Sequence, residues 1–497
     1  MDALAFEHHL ISPQGQGRSF PDAFTATAGG AACCDEVSVS IRVEGERVID
    51  AGFTASGCGA ATAAASAAVT LVRGAPVLAA ARIGPDDVAG ELGGLSPAKQ
   101  HAAELAGDAL ARALGAAVTA RAQLEPRPER TLVAMSGGVD SAVAAHLIAG
   151  QGEAVAVTLE LWADPENDAE SSCCSASAVA QARALAQGMG LAHFTVDLRE
   201  AFRAGVVEPF IAGYAGGETP NPCEGCNGHV RLDAMLALAD RLGAPALATG
   251  HYARVAEPGH RDGPLLRAAA DPAKDQTYML AALAPASLAR MRFPLGELHK
   301  PEVRRIAAEA GLPVANKADS QDLCFLAGTS RPRFLARHGN LGDRPGALVD
   351  LEGTELGRHL GQHRFTVGQR RGLGLAGVEP LYVLDKDAES AQVTVGPVTA
   401  LRTEHVAVRG ARLHRAGARV DRVKLRYRSR PLGARLAGNP GPGSHRRLTV
   451  DLHEPVDGAA PGQLACLMDG DLVVGWGTIT RPAERDSRTC VSNATGG

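Results

Sequence analysis

The sequence lacks several features that define common protein classes. It has no apolar run long enough to span a bilayer, and its first residues lack the basic region of a secretory signal, so we expect a cytoplasmic protein. Lysine is scarce, with six lysines against 44 arginines, so a cluster of arginines is by itself weak evidence for a polyanion partner. The glycine-rich turn at 136–141 does not follow the Walker A pattern.

The composition is that of a globular protein with several domains. The chain has 497 residues, of which 45% are hydrophobic and 21% charged, and this length predicts three or four domains. Ten cysteines in a cytoplasmic protein favour metal or catalytic thiols over structural disulfides. Residues 1–125 carry 8 basic and 14 acidic residues, whereas residues 401–450 carry 13 basic and 2 acidic ones. The second segment is either a polyanion-binding surface or an arginine-rich solvated face.

Hydrophobic patterning predicts different architectures along the chain. The first 20 residues have little periodicity, and we expect them to be partly mobile. Up to a proline-containing linker at 120–130, the pattern predicts α+β structure, with strands at 36–43 and 48–55 and helices at 60–72 and 97–114. Alternating strands (131–135, 154–161, 192–197, 245–249) and helices (140–150, 175–189, 228–242) then predict a doubly wound parallel sheet. Later short strands predict small β domains or barrels, at 347–351, 381–385, 391–395, 405–408, 447–452 and 472–479.

A glycine turn between a strand and a helix is the most informative motif. Such a turn presents backbone N–H groups and a helix N-terminus to an anion. Asp140 within it can hold Mg²⁺ on a phosphate. The turn resembles the S-G-G-x-D-S loop of ATP pyrophosphatases, which implies that ATP binds there; the alternative is a glycine turn without a ligand. The expected ATP-binding residues are Ala134, Met135, Ser136, Gly137, Gly138, Val139, Asp140 and Ser141.

Four further segments carry side chains suited to chemistry. The proline-rich segment 219–227 contains Cys223 and Cys226, which could form a redox pair, half of a metal site or a nucleophile. Cys226 precedes a predicted helix, whose N-terminus would lower the pKa of its thiol. Segments 249–254 and 274–278 offer histidine and cationic side chains. Cys324 in segment 319–325 is either a reactive thiol or a buried core cysteine.

Together these motifs resemble the bacterial tRNA-specific 2-thiouridylases, from about Thr131 to Arg481 and including segment 365–374. The resemblance implies ATP-dependent adenylation of C2–O of a wobble uridine, followed by sulfur transfer. It implies that Cys324 carries a persulfide supplied by a cysteine desulfurase or sulfur-relay system. It further implies that Cys226 is the partner nucleophile, with a Cys226–Cys324 disulfide as one route. Leu159 is expected near the adenine, and Gly250 near the nucleotide.

The same resemblance implies contacts with tRNA. Asn221, Pro222 and Cys223 are expected against a flipped target base. The other expected contacts are His251, Lys274, Asp275, Gln276, Arg426, Tyr427 and Gln463. Arg426 and Tyr427 lie in the basic segment, which favours its interpretation as an RNA surface.

Two positions depart from the family pattern. Glu160-Leu161-Trp162 stands where Lys-Asn-Trp is common after the second strand. Cys223 stands where some members have Asp, so three thiols (Cys223, Cys226 and Cys324) could instead hold a [4Fe–4S] cluster with one open iron. That arrangement would compete with the persulfide mechanism.

The first part of the chain, residues 29–115, resembles the NifU/IscU-type iron–sulfur scaffold. Its candidate metal ligands are Cys33, Asp35, Cys58 and His101. The third cysteine of the scaffold pattern is replaced by Ala102, and Cys34 is an extra thiol. Three interpretations remain open: the domain holds zinc or a labile cluster, it relays sulfur or docks a desulfurase without metal, or it is retained for stability.

We therefore expect a multidomain sulfurtransferase that binds ATP, Mg²⁺ and tRNA. The alternatives are a sulfur or iron–sulfur carrier, a [4Fe–4S]-dependent thiolase, and another S-G-G-x-D-S enzyme such as an amidotransferase-linked synthetase. The expected domains are an α+β iron–sulfur scaffold-like domain (1–125), an α/β ATP-binding domain (126–335), a small central β-rich tRNA-contacting domain (336–395), a C-terminal tRNA-binding β-barrel (396–483) and a tail (484–497).

Overall fold

The computed structural model describes residues 3–29, 34–164, 175–256, 263–318, 324–375 and 379–482. Among these residues, no helix is long and apolar enough to cross a membrane. The chain divides into two compact units. The first comprises residues 1–207, 225–277 and 283–330, and the second comprises residues 208–224, 278–282 and 331–497.

Helices and strands are numbered in chain order. The α-helices are α1 (Ala3–Ile11), α2 (Gly59–Val72), α3 (Val77–Ala80), α4 (Pro85–Glu91), α5 (Gln100–Ala120), α6 (Val139–Ala149), α7 (Ala176–Gly188), α8 (Arg199–Phe202), α9 (Glu208–Ala215), α10 (Pro222–Gly225), α11 (Leu232–Arg241), α12 (Thr277–Leu280), α13 (Pro285–Leu288), α14 (Lys300–Glu309) and α15 (Arg331–Gly339). The strands are β1 (Phe24–Gly29), β2 (Glu36–Glu44), β3 (Arg47–Ser56), β4 (Arg130–Ala134), β5 (Glu153–Glu160), β6 (Ala192–Asp197), β7 (Ala246–Ala248), β8 (Arg254–Val255), β9 (Leu266–Arg267), β10 (Met291–Arg292), β11 (Gly346–Val349), β12 (Glu355–His359), β13 (Tyr382–Asp387), β14 (Gln392–Gly396), β15 (Arg402–Leu413), β16 (Arg422–Lys424), β17 (Leu432–Leu436), β18 (Gly443–Asp457), β19 (Leu464–Asp469) and β20 (Leu472–Thr480).

The first unit begins with an antiparallel sheet of order β1-β2-β3, packed against helices α2 and α5. Alternate residues of β2 are buried, as the period of a half-buried strand requires. Helix α2 is built largely from alanine, whose small side chain allows close packing, and ten of its residues are buried. The predicted strand and helix positions are therefore confirmed in this part of the chain.

The expectation of mobility for the first 20 residues is wrong for α1. His9 of this helix is buried, and its Nδ1 lies 2.8 Å from Ser66 Oγ on α2. The backbone N–H of Gln14 donates to the same hydroxyl at 2.8 Å. These contacts with a distant helix order a segment whose own sequence has little periodicity, because tertiary packing rather than propensity stabilises most helices.

The first unit continues with a five-stranded parallel sheet of order β10-β7-β4-β5-β6. Its core combines β4 residues such as Val133 with the inner faces of α6, α7 and α14. All pairings in this sheet are parallel, so the carboxyl ends of β4 and β5 lie at one edge, where open α/β sheets bind ligands. The predicted doubly wound sheet is confirmed. Strands β8 and β9 pair with each other in antiparallel orientation.

The second unit contains a smaller sheet and a barrel. The sheet has the order β12-β11-β14-β13, with a core of six buried residues that includes Val383 and Val393. Strands β15, β18, β17, β16, β19 and β20 pair in that order, and β20 also pairs with β15, which closes a six-stranded barrel. The predicted β-rich C-terminal architecture is confirmed.

The helix predicted at 228–242 is only partly regular. A π-helical segment, Cys226–Arg231, continues directly from α10 and leads into α11. The helical run therefore begins at Pro222, four residues before Cys226. The prediction that Cys226 lies before a helix N-terminus is wrong.

Candidate functional site

Internal hydrogen bonds to a serine hydroxyl group stabilise the glycine turn between β4 and α6. The Oγ of Ser141 accepts hydrogen bonds from the N–H of Ser136 (3.1 Å) and donates to the carbonyl of Gly138 (3.1 Å). Gly137 has φ +70°, and a Cβ there would lie 3.0 Å from the carbonyl oxygen of Ala178, so the position requires glycine. The side chains of Met135 and Val139 are buried in the core, so only their backbone groups could contact a nucleotide. The turn presents the start of α6 at the ligand-binding edge of the sheet.

Asp140 is held by two groups that the sequence analysis missed. Lys300 Nζ donates to both carboxylate oxygens, at 2.7 and 2.9 Å, and the hydroxyl of Tyr252 donates to Oδ1 at 2.9 Å. Lys300 is the first residue of α14, and its backbone N–H donates to Asp271. The carboxylate therefore has a defined orientation at the start of α6.

A second lysine contacts the glycine turn. Lys317 Nζ donates to the carbonyl of Gly137 at 2.9 Å and to the side chain of Gln181 on α7. Lys300 and Lys317 thus place two ammonium groups at the turn, where they would favour a polyphosphate. Only six lysines occur in the chain, so the occurrence of lysine at these two positions is a signal that sequence reasoning could have used in an arginine-rich sequence.

The residues expected near the nucleotide and tRNA in segments 249–254 and 274–278 have local roles. A Cβ on Gly250 would lie 2.7 Å from the backbone nitrogen of Ser141, so glycine is required there for packing against the first turn of α6. The side chain of Gln276 accepts from the N–H of Tyr252, and that of Asp275 accepts from the hydroxyl of Thr277.

Of the other expected site residues in this unit, Leu159 is buried, whereas His251 and Lys274 are half-buried. Burial and the nearby Arg231 guanidinium lower the pKa of His251 to about 3, so its ring is neutral at pH 7 and cannot act as a cation. The Thr249 hydroxyl lies 2.7 Å from its Nδ1. Leu159 is buried near the carboxyl end of β5.

The two candidate catalytic cysteines belong to the same compact unit as the glycine turn. Cys226 is buried at the start of the π-helical segment, and Cys324 is half-buried, which argues against a fully buried core role for Cys324. Phe325, the next residue, packs edge to face on Phe202 with ring centroids 5.8 Å apart. Neither cysteine is part of a disulfide bond. Residues 319–323 of that motif lie outside the described part of the chain.

In the second unit, the segment 218–221 is anchored by three side chains. Gln463 Nε2 donates to the carbonyl of Thr219 at 2.7 Å, and Arg409 forms an ion pair with Glu218. Lys386 is buried and donates to the carbonyls of Glu218 (3.2 Å) and Phe365 (3.0 Å); burial lowers its pKa to about 8. The next residues, Pro222 and Cys223, begin α10, and the N–H of Cys223 donates to the Asn221 side chain at 3.2 Å.

The structure places Asn221 and Gln463, two expected tRNA contacts, in one hydrogen-bonded region, because the N–H of Asn221 also donates to Gly462. Arg426 is exposed and donates to the carbonyl of Gly458 at 3.2 Å. Its Nη2 would lie 3.6 Å from a Cβ on Gly368, within the motif segment 365–374. The ring of Tyr427 lies 6.5 Å from that of Tyr278.

In the N-terminal part of the first unit, three of the four candidate metal ligands come together. The ligand atoms of Asp35, Cys58 and His101 all lie within 4.8 Å of one another. The Asp35 carboxylate accepts from the N–H of Cys58 (2.8 Å) and from its thiol (3.1 Å), and lies 3.0 Å from His101 Nε2. Hydrogen bonds from Cys58 and then from His101 lower the pKa of Asp35. Cys33 lies outside the described residues, and Cys34 is exposed with φ +55°.

A carboxylate, a thiol and an imidazole are ligand types that zinc and iron accept in proteins. Gly57 has φ +116°, and a Cβ there would lie 2.0 Å from Asp35 Oδ1. The site therefore depends on glycine beside it, so that the carboxylate can approach the backbone of Cys58. The chemistry of these three residues fits a metal site.

Comparison with protein families assigns all four parts of the chain. Residues 5–122 match the NifU-like N terminal domain, and residues 129–328 match the family described as tRNA methyl transferase HUP domain. Residues 333–397 match the tRNA methyl transferase PRC-barrel domain, and residues 402–479 match the aminomethyltransferase beta-barrel domain. These matches confirm the multidomain fold class predicted from the sequence.

Curated relatives match between about 70% and nearly all of the chain. The bifunctional protein NifU/MnmA of Rubrobacter xylanophilus is 43% identical over 488 residues, which cover 95% of this chain and 97% of that protein. The tRNA-specific 2-thiouridylases MnmA of Methylorubrum extorquens and Chloroflexus aggregans are each 43% identical. Those matches cover 72% and 71% of this chain and 94% and 98% of the relatives. Both resemblances stated from the motifs are confirmed.

Proposed function

Because the chain belongs to the family of bifunctional NifU/MnmA proteins, we propose that it is a sulfurtransferase that uses ATP to convert a wobble uridine of tRNA to 2-thiouridine. The observation that carries the proposal is the placement of two thiols, Cys226 and Cys324, in the same compact unit as the glycine turn at Ser136–Ser141. A nucleotide loop alone would fit many adenylating enzymes. Two thiols in the same unit support the proposal that the activated group receives sulfur.

In the first step, O2 of uridine attacks the α-phosphorus of ATP, and pyrophosphate leaves. The N–H groups at the start of α6, with Lys300 and Lys317, would bind the departing pyrophosphate. Asp140 would hold Mg²⁺, which would neutralise phosphate charge when bound. The hydrogen bonds from Lys300 and Tyr252 orient the Asp140 carboxylate for that role.

In the second step, the terminal sulfur of a Cys324 persulfide attacks C2 of the adenylated uridine, and AMP leaves with the former O2. The Cys226 thiolate then attacks the Cys324 sulfur. The S–S bond to the base breaks, a Cys226–Cys324 disulfide forms, and 2-thiouridine is released. An external dithiol reductant restores both thiols, after which a cysteine desulfurase or a sulfur-relay protein reloads Cys324.

The second unit supplies part of the expected contacts for tRNA in this proposal. Arg426, Arg428 and Arg430 are exposed at alternate positions of the basic segment, where phosphate contacts would make binding depend on salt. Asn221, Pro222 and Cys223 follow a segment anchored by Gln463 and Lys386, which suits a loop that must receive a base. His251, Lys274, Asp275, Gln276 and Tyr427 remain expected contacts.

In the N-terminal part, we propose that Asp35, Cys58 and His101 hold zinc or a labile iron–sulfur cluster. The arrangement of their ligand atoms supports this interpretation over a domain retained only for stability. The remaining alternative is that the domain relays sulfur or docks a desulfurase without metal. In either case the fusion places a sulfur-handling site on the same chain as the sulfur-using enzyme, which raises its effective concentration.

The experiment that tests the proposal is a thiolation assay with the full chain, tRNA, ATP, cysteine and a cysteine desulfurase, read by mass spectrometry of nucleosides. We expect 2-thiouridine from the wild type and none from Cys226→Ala or Cys324→Ala, both of which should still release pyrophosphate. Cys466→Ala, at a buried barrel thiol, is the control. Thiolation by both variants would exclude the mechanism.

Iron analysis of anaerobically purified protein separates the persulfide route from the cluster route. A colourless, iron-free and active protein supports the persulfide. Activity that depends on iron held by Cys223, Cys226 and Cys324 would favour the [4Fe–4S] alternative.

A further inference from the structure

Within the first unit, the NifU-like part is packed directly against the edge of the parallel sheet. Helix α5 lies against β6, the edge strand. A Cβ on Gly115 of α5 would lie 1.7 Å from the carbonyl oxygen of Thr195, so the two backbones are in contact. The N–H of His193 donates to the carbonyl of Ala81 at 2.9 Å. The edge strand is therefore covered by the NifU-like part along its length, which protects it from other strand partners.

A charged network crosses this interface. Arg112 of α5 forms a bidentate ion pair with Glu160, with Nη2 2.7 Å from Oε1 and Nη1 3.0 Å from Oε2. Asp108, one turn earlier on α5, accepts from Arg112 at 3.0 Å and from Arg183 of α7 at 2.6 Å. Glu160 and Arg183 are both buried. Arg112 and Asp108 of α5 thus form ion pairs with two elements of the ATP-binding domain, β5 and α7.

Both of these elements, β5 and α7, lie beside the glycine turn. Glu160 is the last residue of β5 and follows Leu159, the residue expected near the adenine. Helix α7 contacts the turn directly, because its Ala178 carbonyl limits the space at Gly137. Gln181 of α7 accepts from Lys317, which also donates to Gly137. A shift of α7 or of the end of β5 would therefore move the walls of the nucleotide site.

We propose that Arg112 and Asp108, on the NifU-like part, are positioning residues for the ATP site of the neighbouring domain. The proposal rests on the proposed function only in taking the turn Ser136–Ser141 as the ATP site. It also explains a departure from the family pattern, because the acidic residue at position 160 is the partner of Arg112. The NifU-like part is then a structural component of the nucleotide site in addition to any role in sulfur handling.

The physical reason is the cost of a buried charge without a partner. Burial raises the pKa of Glu160, the guanidinium of Arg112 opposes that rise most strongly, and Asp108 adds to it. Smaller effects on this pKa come from Arg199, which lowers it, and from Asp197, which raises it. Loss of Arg112 removes the main positive charge beside Glu160 and leaves only the weaker influence of Arg199. The end of β5 must then move or the carboxyl group must take up a proton.

The test compares the full-length wild type with Arg112→Ala and measures the Kd of a non-hydrolysable ATP analogue by calorimetry. We expect weakening on the order of tenfold, with the affinity for tRNA unchanged. Arg121→Ala is the matched control, since Arg121 caps the same helix but forms only an exposed 3.7 Å pair with Asp22, and it should bind like the wild type. Adding Glu160→Gln to Arg112→Ala removes the unpaired charge and should recover part of the affinity.

An Arg112→Ala protein with lower thermal stability but unchanged Kd would overturn the proposal, because the network would then be structural only. If that variant does not fold, Arg112→Lys carries the test: it keeps the charge but loses the bidentate geometry, and an unchanged Kd would again overturn the proposal. Analogue binding does not involve sulfur transfer. A wild type without thiolase activity would therefore refute the proposed function and leave this result standing.

Discussion

Lys300 Nζ donates to both carboxylate oxygens of Asp140, which lies 160 residues earlier in the chain, at 2.7 and 2.9 Å. The pair is largely shielded, since the Lys300 side chain is only 10% exposed. It joins the first turn of α6 to the first residue of α14. The orientation of the only carboxylate in the glycine turn thus depends on a residue outside the turn.

We therefore predict that Lys300→Met lowers ATP-dependent release of pyrophosphate on the order of 100-fold, because a misplaced carboxylate loses its alignment with the phosphates. Tyr252→Phe, which removes only one hydrogen bond, should have a smaller effect. Lys99→Met is the control, since Lys99 lies over the ring of Phe6 in the NifU-like part. Equal rates for Lys300→Met and the control would refute the assignment.

Replacing either of two glycines of α5 with alanine should change the stability of the protein, in opposite directions for the two positions. Gly115→Ala places a methyl group against the Thr195 carbonyl and should destabilise the first unit by about 1–3 kcal/mol or more. Gly107→Ala meets only Pro85 at 3.6 Å and should stabilise the helix by about 0.5–1 kcal/mol. Denaturant midpoints of the full chain measure both. Similar midpoints for the two variants would mean that α5 is not tightly packed on β6.

The proposed metal site should require all three clustered residues. We predict that Asp35→Ala, Cys58→Ala and His101→Ala each lower the zinc bound per chain after loading and dialysis, because each removes one ligand atom of the group. Cys34→Ala should retain its zinc, because Cys34 is not part of that group. Elemental analysis measures the zinc bound per chain in each variant. Loss of zinc in Cys34→Ala would show instead that this extra thiol replaces the missing third cysteine.

Acid should destabilise the first unit through His193 of β6. Burial lowers its pKa to about 3, against an ordinary value of 6.5, and its Nε2 lies 2.8 Å from the Thr158 hydroxyl. Between these two pKa values the unfolded chain binds one more proton than the folded one, so stability falls as the pH falls below 6.5. Above pH 6.5 the residue has no effect, because it is neutral in both states.

We predict that His193→Asn reduces the pH dependence of the unfolding free energy by up to about 1.4 kcal/mol per pH unit in this window. His146→Asn, at an exposed position of α6, should leave the slope unchanged. Denaturant titrations at several pH values measure both slopes. If the unfolding free energy of His193→Asn depends on pH as strongly as that of the wild type, another group causes the acid sensitivity.

Much of the architecture was predictable because its signals are local. The strand–turn–helix at 130–149, the parallel order of the sheet and the β-rich second unit follow from hydrophobic period, glycine turns and short connections. The helix α1 was missed, since its order comes from contacts such as His9 with Ser66 rather than from its own pattern. The irregular start of the helical run around Cys226 was missed for a related reason, because a π-helical segment has no local sequence signature.

Motif order alone was enough to identify the family, and it singles out the thiols Cys226 and Cys324 and the glycine turn as candidate site residues, because these signals depend on residue type and short spacing. Only the folded chain shows that Lys300 and Lys317 form hydrogen bonds with residues of the turn. It also shows that Asp35, Cys58 and His101 cluster together. The ion pair between Arg112 and Glu160 likewise appears only in the folded chain. Each of these contacts joins residues dozens to more than a hundred positions apart. Local sequence encodes secondary structure and motif chemistry, whereas the partners of a buried charge are decided by which elements pack together.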